Sequence, residues 1–226
     1  MVLVKNIKNV AIQNTAKMIF IFLILLFILF APLFFLLLFF NLLSFGFEKL
    51  GISPEITFLI LFLILIGSFF NIPLSRKRYV LVREPYFFGL FWKERIERVG
   101  IFINLGGAVI PLLISFYFLL KIPLKGVIIC TVLMTFFCYI LSRPQRGVGV
   151  ILPAFIPPIF SALFSLIFSP QFSAPTAFVS GVFGTILGAD ILNLPKVRKW
   201  NTFLSIGGAG VFDGIFLVAI FSAILA

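Results

Sequence analysis

Histidine is absent from the 226 residues, cysteine occurs twice, and the acidic residues number only seven. Without histidine there is no H-E-x-x-H zinc site, no Ser–His or Cys–His nucleophile pair and no haem histidine. Cys130 and Cys138 share one apolar segment without C-x-x-C spacing, so they read as small buried thiols rather than as ligands or a redox pair. No metal and no cofactor is expected. Charge of either sign is scarce at 11% of residues, against about a quarter in a water-soluble domain, and this excludes a soluble class. The alternating segments of about ten residues that mark an outer-membrane barrel are missing too.

Apolar residues, by contrast, make up 62% of the chain, and the mean hydropathy is +1.25. Apolar runs near 20 residues recur, which predicts an all-α, polytopic helical membrane protein. Seven spans are expected, at about 18–43, 56–74, 101–120, 126–141, 147–169, 175–194 and 202–226. The first follows a basic, polar leader and is too long for a signal-peptide core. Pro32 should kink it, and the fifth, near 147–169, should be broken or re-entrant. With the N-terminus inside, fifteen basic residues fall on one side and only Lys49, Lys121 and Lys125 on the other. That asymmetry predicts a multi-pass protein of the cell membrane, N-terminus cytoplasmic and C-terminus outside. The net charge of +11 then reflects orientation and attraction to anionic headgroups of the bilayer rather than nucleic-acid binding.

Three regions follow: N-terminal hydrophobic helices at 1–75, a basic aromatic cytoplasmic loop at 76–100, and a C-terminal membrane core at 101–226. In the loop, RYVLVRE (78–84) alternates like a strand, which suits a small hairpin, and Tyr79, Tyr86, Phe87, Phe88, Phe91 and Trp92 favour the headgroup layer. The core is chemically distinctive. INLGGAVIP (103–111), RPQRGVGVILPAFIPP (143–158), GTILGADILNLP (184–195) and SIGGAGVFDG (205–214) put Gly and Pro inside spans, a sign of close helix contacts or unwound backbone lining a cavity. Pro153, Pro157 and Pro158 forbid a regular helix throughout 147–169, and broken helices often build binding sites. INLGGAVI and LSIGGAGV also echo each other as a parallel repeat would.

Both aspartates of the chain, Asp190 and Asp213, lie in these spans, whereas all five glutamates lie in loops. An ionisable group there costs at least about 2.5–3.5 kcal/mol on insertion scales, so such residues are usually functional or paired. Spans six and seven form an antiparallel hairpin that can join the two. A carboxyl pair sharing one proton supplies an acid and a base beside a water, the chemistry of a di-aspartyl intramembrane hydrolase. Asp190 and Asp213 would be catalytic, with Gly207, Gly208 and Gly210 letting the backbone of a transmembrane peptide approach. Asn104, Asn193, Pro153 and Pro157 complete the candidate substrate site. Geometry strains this picture: with span seven helical from 202, Asp190 lies about 10 Å and Asp213 about 20 Å from the hairpin tip. The alternatives are a proton- or Na⁺-coupled small-solute transporter, with Asn71, Asn104, Asn193, Ser180 and Thr185 as neutral ligands, or a scaffold in which protonated aspartates hold helices together.

GADILNL followed by SIGGAGVFDGIFL, with INLGGAVIP and LPAFIPP upstream, resembles the prokaryotic multi-pass membrane family catalogued as domain of unknown function 1614, over roughly 76–226. The resemblance implies that Asp190 and Asp213 are signature positions and carries no activity. More loosely, the chain is similar to GxGD-type intramembrane aspartyl proteases, although two residues separate the last glycine of GGAGVFD from Asp213 and no presenilin-type P-A-L is present beyond LPAF (152–155).

Overall fold

The computed structural model describes residues 2–75, 78–86, 91–145, 149–199, 203–208 and 213–226. The chain divides into two units, Met1–Leu43 and Ser44–Ala226. The first is the greater part of α1 (Val2–Lys49), which continues through Pro32 as one element. From Lys17 on α1 is long and apolar enough to cross a membrane, and none of its most apolar window is buried. Such a helix keeps its backbone bonds to itself and needs only hydrocarbon around it.

The second unit runs α2 (Pro54–Gly67), β1 (Asn71–Pro73), β2 (Arg78–Tyr86), β3 (Phe91–Asn104), α3 (Ile110–Leu119), α4 (Leu124–Leu141), β4 (Arg143–Gln145), β5 (Gly149–Ile151), α5 (Ile156–Phe168), α6 (Ser173–Thr185), α7 (Leu194–Arg198), β6 (Phe203–Ile206) and α8 (Gly214–Leu225). The chain is a helical membrane protein. Among the described residues three helices are long enough to span, and four shorter apolar helices fill the other expected positions. As the prolines require, 147–169 is broken. An extended piece, β5, leads through Leu152 and Pro153 to α5, whose first turn holds Pro157 and Pro158, where no intrahelical N–H is needed.

The short helices pose a length problem. α8 has 12 residues, α5 has 13 and α2 has 14, or about 18–21 Å against a hydrocarbon core of about 30 Å. Each is continued by a strand: α2 by β1, α3 by β3, α5 by β5 and α8 by β6. These strands gather at one end of the unit. β1 pairs antiparallel with β3 (Asn71 opposite Asn104), β6 pairs parallel with β3 (Ile101 opposite Leu204), and β4 pairs with β5. The expected hairpin is present as β2 and β3, with Glu84 opposite Lys93, while Phe87 and Phe88 lie outside the described residues. The same end carries Arg143 on β4 and Lys196 and Arg198 on the adjoining α7. The other end closes where Lys49 Nζ donates to the Ile224 carbonyl (2.8 Å) and Ser173 Oγ to that of Ala226 (3.0 Å).

Helix α6 is the centre of the packing, and its small residues make that position available. A Cβ on Gly184 would lie 2.4 Å from Met134 Cβ, one on Gly188 only 2.2 Å from the Thr135 carbonyl oxygen, and one on Gly181 3.2 Å from Ala219 Cα. Two glycines four apart thus seat α4, and a third seats α8, at backbone contact, as small-xxx-small faces do in membranes. Buried hydroxyls bind the same helices: Ser161 Oγ donates to the Ala177 carbonyl (2.9 Å) and Ser222 Oγ to the same oxygen (3.1 Å). Phe47, Phe178 and Phe216 fill the space beside them without exposure. Gly184→Ala should therefore lower stability by about 1–3 kcal/mol, the cost of overpacking, read as a reduced thermal midpoint in detergent; an unchanged midpoint would mean that α4 and α6 are not in close contact.

Candidate functional site

Beyond Thr185, α6 widens into a π-helical turn, Ile186–Ile191, that carries Asp190. The widening is closed by Leu192 N–H donating to the Leu187 carbonyl (3.0 Å) and by the side chain of Asn193. Fully buried, Asn193 Nδ2 donates to Ser142 Oγ (2.8 Å), to the Ala189 carbonyl (2.9 Å) and more distantly to that of Gly188 (3.4 Å). An inserted π turn rotates the side chains that follow it and is common at functional sites. Asp190 is half-buried, and among the described residues no donor hydrogen-bonds to its carboxyl.

Asp213 is held differently. Span seven is not helical from residue 202 as expected: 203–206 form β6, the chain turns at Gly207 with φ +73°, and α8 begins only at Gly214. Asp213 is the residue before that helix, extended at φ −73°, and its Oδ1 accepts from the Ile215 N–H at 2.9 Å. A carboxylate there satisfies an amide left without an intrahelical partner and faces the positive end of the helix dipole.

The two aspartates stand at neighbouring levels. α6 and α8 run antiparallel and are pinned at their far ends through Ser173 and Ala226. Counting 1.5 Å per residue from that pin, Asp190 stands about 25 Å along α6 and Asp213 about 20 Å along α8. Between their elements runs the Gly149–Pro153 stretch. Val150 and Leu152 pack on a cluster of Met134, Cys138, Ala189 and Val218, one residue from Asp190 and in the second turn after Asp213. The proline-rich break thus lines the site through Val150 and Leu152 rather than through the expected Pro153 and Pro157. Pro153 is half-buried, and Pro157 is buried in the first turn of α5.

The other expected ligands are engaged within the fold. Buried Asn104 precedes a second π turn, Leu105–Val109; its Oδ1 accepts from Gly107 N–H (2.8 Å), while Nδ2 donates to the Ser68 carbonyl (2.8 Å) and to Asn71 Oδ1 (3.2 Å). Asn71 Oδ1 also accepts from Ser205 Oγ, which ties β1, β3 and β6 together. Gly207 does not face an open groove: a Cβ there would sit 2.6 Å from Ala108 Cβ and 2.7 Å from its amide nitrogen. Gly207 therefore lies against the Gly107–Ala108 backbone at the ends of two parallel strands, in a register that pairs Ile103 with Ile206 rather than with Leu204. Gly208 is exposed and donates its N–H to the Ser205 carbonyl (3.1 Å); Gly210 lies outside the described residues. Ser180 bonds Ser161 (3.1 Å), and Thr185 lies 3.8 Å from Cys138 Sγ. Among the described residues no cluster of three or more His, Cys, Asp or Glu could hold a metal ion.

Residues 65–225 match the family described as protein of unknown function (DUF1614). The chain belongs to that family. The family match begins earlier than the expected 76 and takes in the end of α2 and β1, consistent with the Asn71–Asn104 bond that makes β1 part of the core. Neither a curated protein nor a solved structure matches the chain, so the looser likeness to GxGD proteases finds no support. For this family member two substitutions of Asp213 should separate in a stability measurement. Asp213→Asn keeps a capping oxygen and should leave the thermal midpoint nearly unchanged, whereas Asp213→Ala should cost about 1 kcal/mol. An equal loss in both would show that the cap does not hold α8.

Proposed function

We propose that this protein is a di-aspartyl hydrolase of the cell membrane, acting on peptide bonds of membrane-embedded chains, with its N-terminus cytoplasmic and its C-terminus outside. The supporting observation is the placement of Asp190 and Asp213 at neighbouring levels of two packed helices, beside the cluster that joins Ala189 to Val218, with Asp190 half-buried and without a hydrogen-bond donor of its own among the described residues. A carboxyl that merely held helices together would be bonded across an interface, as Ser161, Ser180 and Ser222 are. In the reaction one carboxylate removes a proton from water as the water attacks the carbonyl carbon, and the other, protonated, gives its proton toward the carbonyl oxygen. Asp213, held by the Ile215 amide, suits the stationary role, and Asp190, without such a bond among the described residues, the exchanging one. An ion-coupled site is supported less well, because the neutral ligands it would use, Asn104, Asn193 and Ser180, are engaged within the fold.

The test is cleavage of labelled transmembrane peptides by the purified chain in nanodiscs, with products identified by mass. Asp190→Asn, Asp213→Asn and the double variant should all lose cleavage to the same degree, since residues acting as one unit are not additive, while each keeps the wild-type melting profile. Cleavage that survives either single change removes the proposal.

A further inference from the structure

Lys196 is exposed, yet its ammonium is fixed. Nζ donates to Asn193 Oδ1 at 3.0 Å and to the Tyr139 hydroxyl at 3.3 Å, and stands 4.8 Å from the centre of the Tyr139 ring. A lysine on a wet surface is ordinarily a mobile point charge on a flexible stem. Here its partner is a fully buried amide, itself held by Ser142 and by the Gly188 and Ala189 carbonyls, so the charge is set in position before anything binds. Arg198 follows on α7, Lys199 comes next, and Arg143 lies on the adjoining β4; all three are exposed. Among the described residues no carboxylate pairs with any of these four cations. The cluster closes the long apolar helical stretch Pro170–Arg198 with an aromatic ring beside it, the composition that places side chains at headgroup level.

We propose that Lys196, Arg143, Arg198 and Lys199 form a binding site for the phosphate of an anionic phospholipid, and that its occupancy steadies the π turn carrying Asp190. The physical link is short. Asn193 receives Lys196 on its oxygen and closes the carbonyls of Gly188 and Ala189 with its nitrogen, so an ammonium held by a lipid phosphate keeps the amide in that orientation. Basic side chains at a membrane boundary attract anionic lipid by about 1 kcal/mol each; what this cluster adds is one that is already oriented.

Two measurements on the full chain test this without reading hydrolysis. In the first, native mass spectrometry counts lipid retained from nanodiscs of phosphatidylcholine with phosphatidylglycerol. The wild type should retain the glycerol lipid in preference to the choline lipid. Lys196→Gln, which keeps a donor for Asn193 but no charge, should lose about fivefold of that retention. Lys196→Arg should restore most of it, and Lys49→Met at the other end should lose none. Equal retention of both lipids by the wild type, or equal losses at Lys49 and Lys196, would overturn the site; displacement of bound lipid by millimolar inorganic phosphate would reassign it to a free anion and overturn the lipid reading. In the second, backbone hydrogen exchange over 186–193 should slow when phosphatidylglycerol is added to phosphatidylcholine and not slow in Lys196→Gln. Identical exchange in the two lipid mixtures would overturn the link to the π turn.

Discussion

Inside hydrocarbon every backbone N–H and C=O needs a partner within the protein, and most of this structure is an answer to that requirement. Helices of 12 to 14 residues stop short of the membrane thickness, so the chain continues as strands that find partners only in one another. Where helices begin or widen, side chains take over: Asn104 on the Gly107 amide, Asn193 on the Gly188 and Ala189 carbonyls, Asp213 on the Ile215 amide. Polar residues that look like ligands in the sequence are thus mostly terminators of backbone. Asp190 differs from them in having no hydrogen-bond partner for its carboxyl among the described residues. That isolation, one residue from the cluster that α8 shares, is what sets it apart.

The spans were legible because hydrocarbon demands length, and length is visible in a run of apolar residues. The break near 147–169 was legible for an equally local reason, since two adjacent prolines cannot lie inside a regular helix. The hairpin of β2 and β3 showed itself by alternation. What did not show is the junction of β1, β3 and β6. Strands of three or four residues are too short for a period, and Asn71 and Ser205 meet across 134 positions of chain. The late start of α8 had a visible signal in Asp213 followed by Gly214, a common helix beginning, but the apolar run around it reads as continuous span. Gly207 could not be assigned from sequence at all: a glycine that admits a ligand and one filled by Ala108 look the same until the neighbour is seen.

Charge is arranged along the same axis as backbone chemistry. Lys49 closes the end where helices meet helices, and Arg143, Lys196 and Arg198 mark the end where strands gather and the π turn bearing Asp190 lies. The less regular, more polar half of the unit is therefore also the more basic half. The glycines of α6 and of the π turn after it make this possible at low cost, because seating α4 and α8 at backbone contact brings Cys138, Ala189 and Val218 into one cluster.

The central claim is that Asp190 and Asp213 share one site, and crosslinking tests it most directly. With Cys130 and Cys138 changed to alanine, Asp190→Cys and Asp213→Cys in the same chain should be joined by a short bifunctional methanethiosulfonate, giving a single intramolecular product by mass. If each thiol were modified singly and no bridge formed, the two positions would belong to separate surroundings and the account of the site would be wrong.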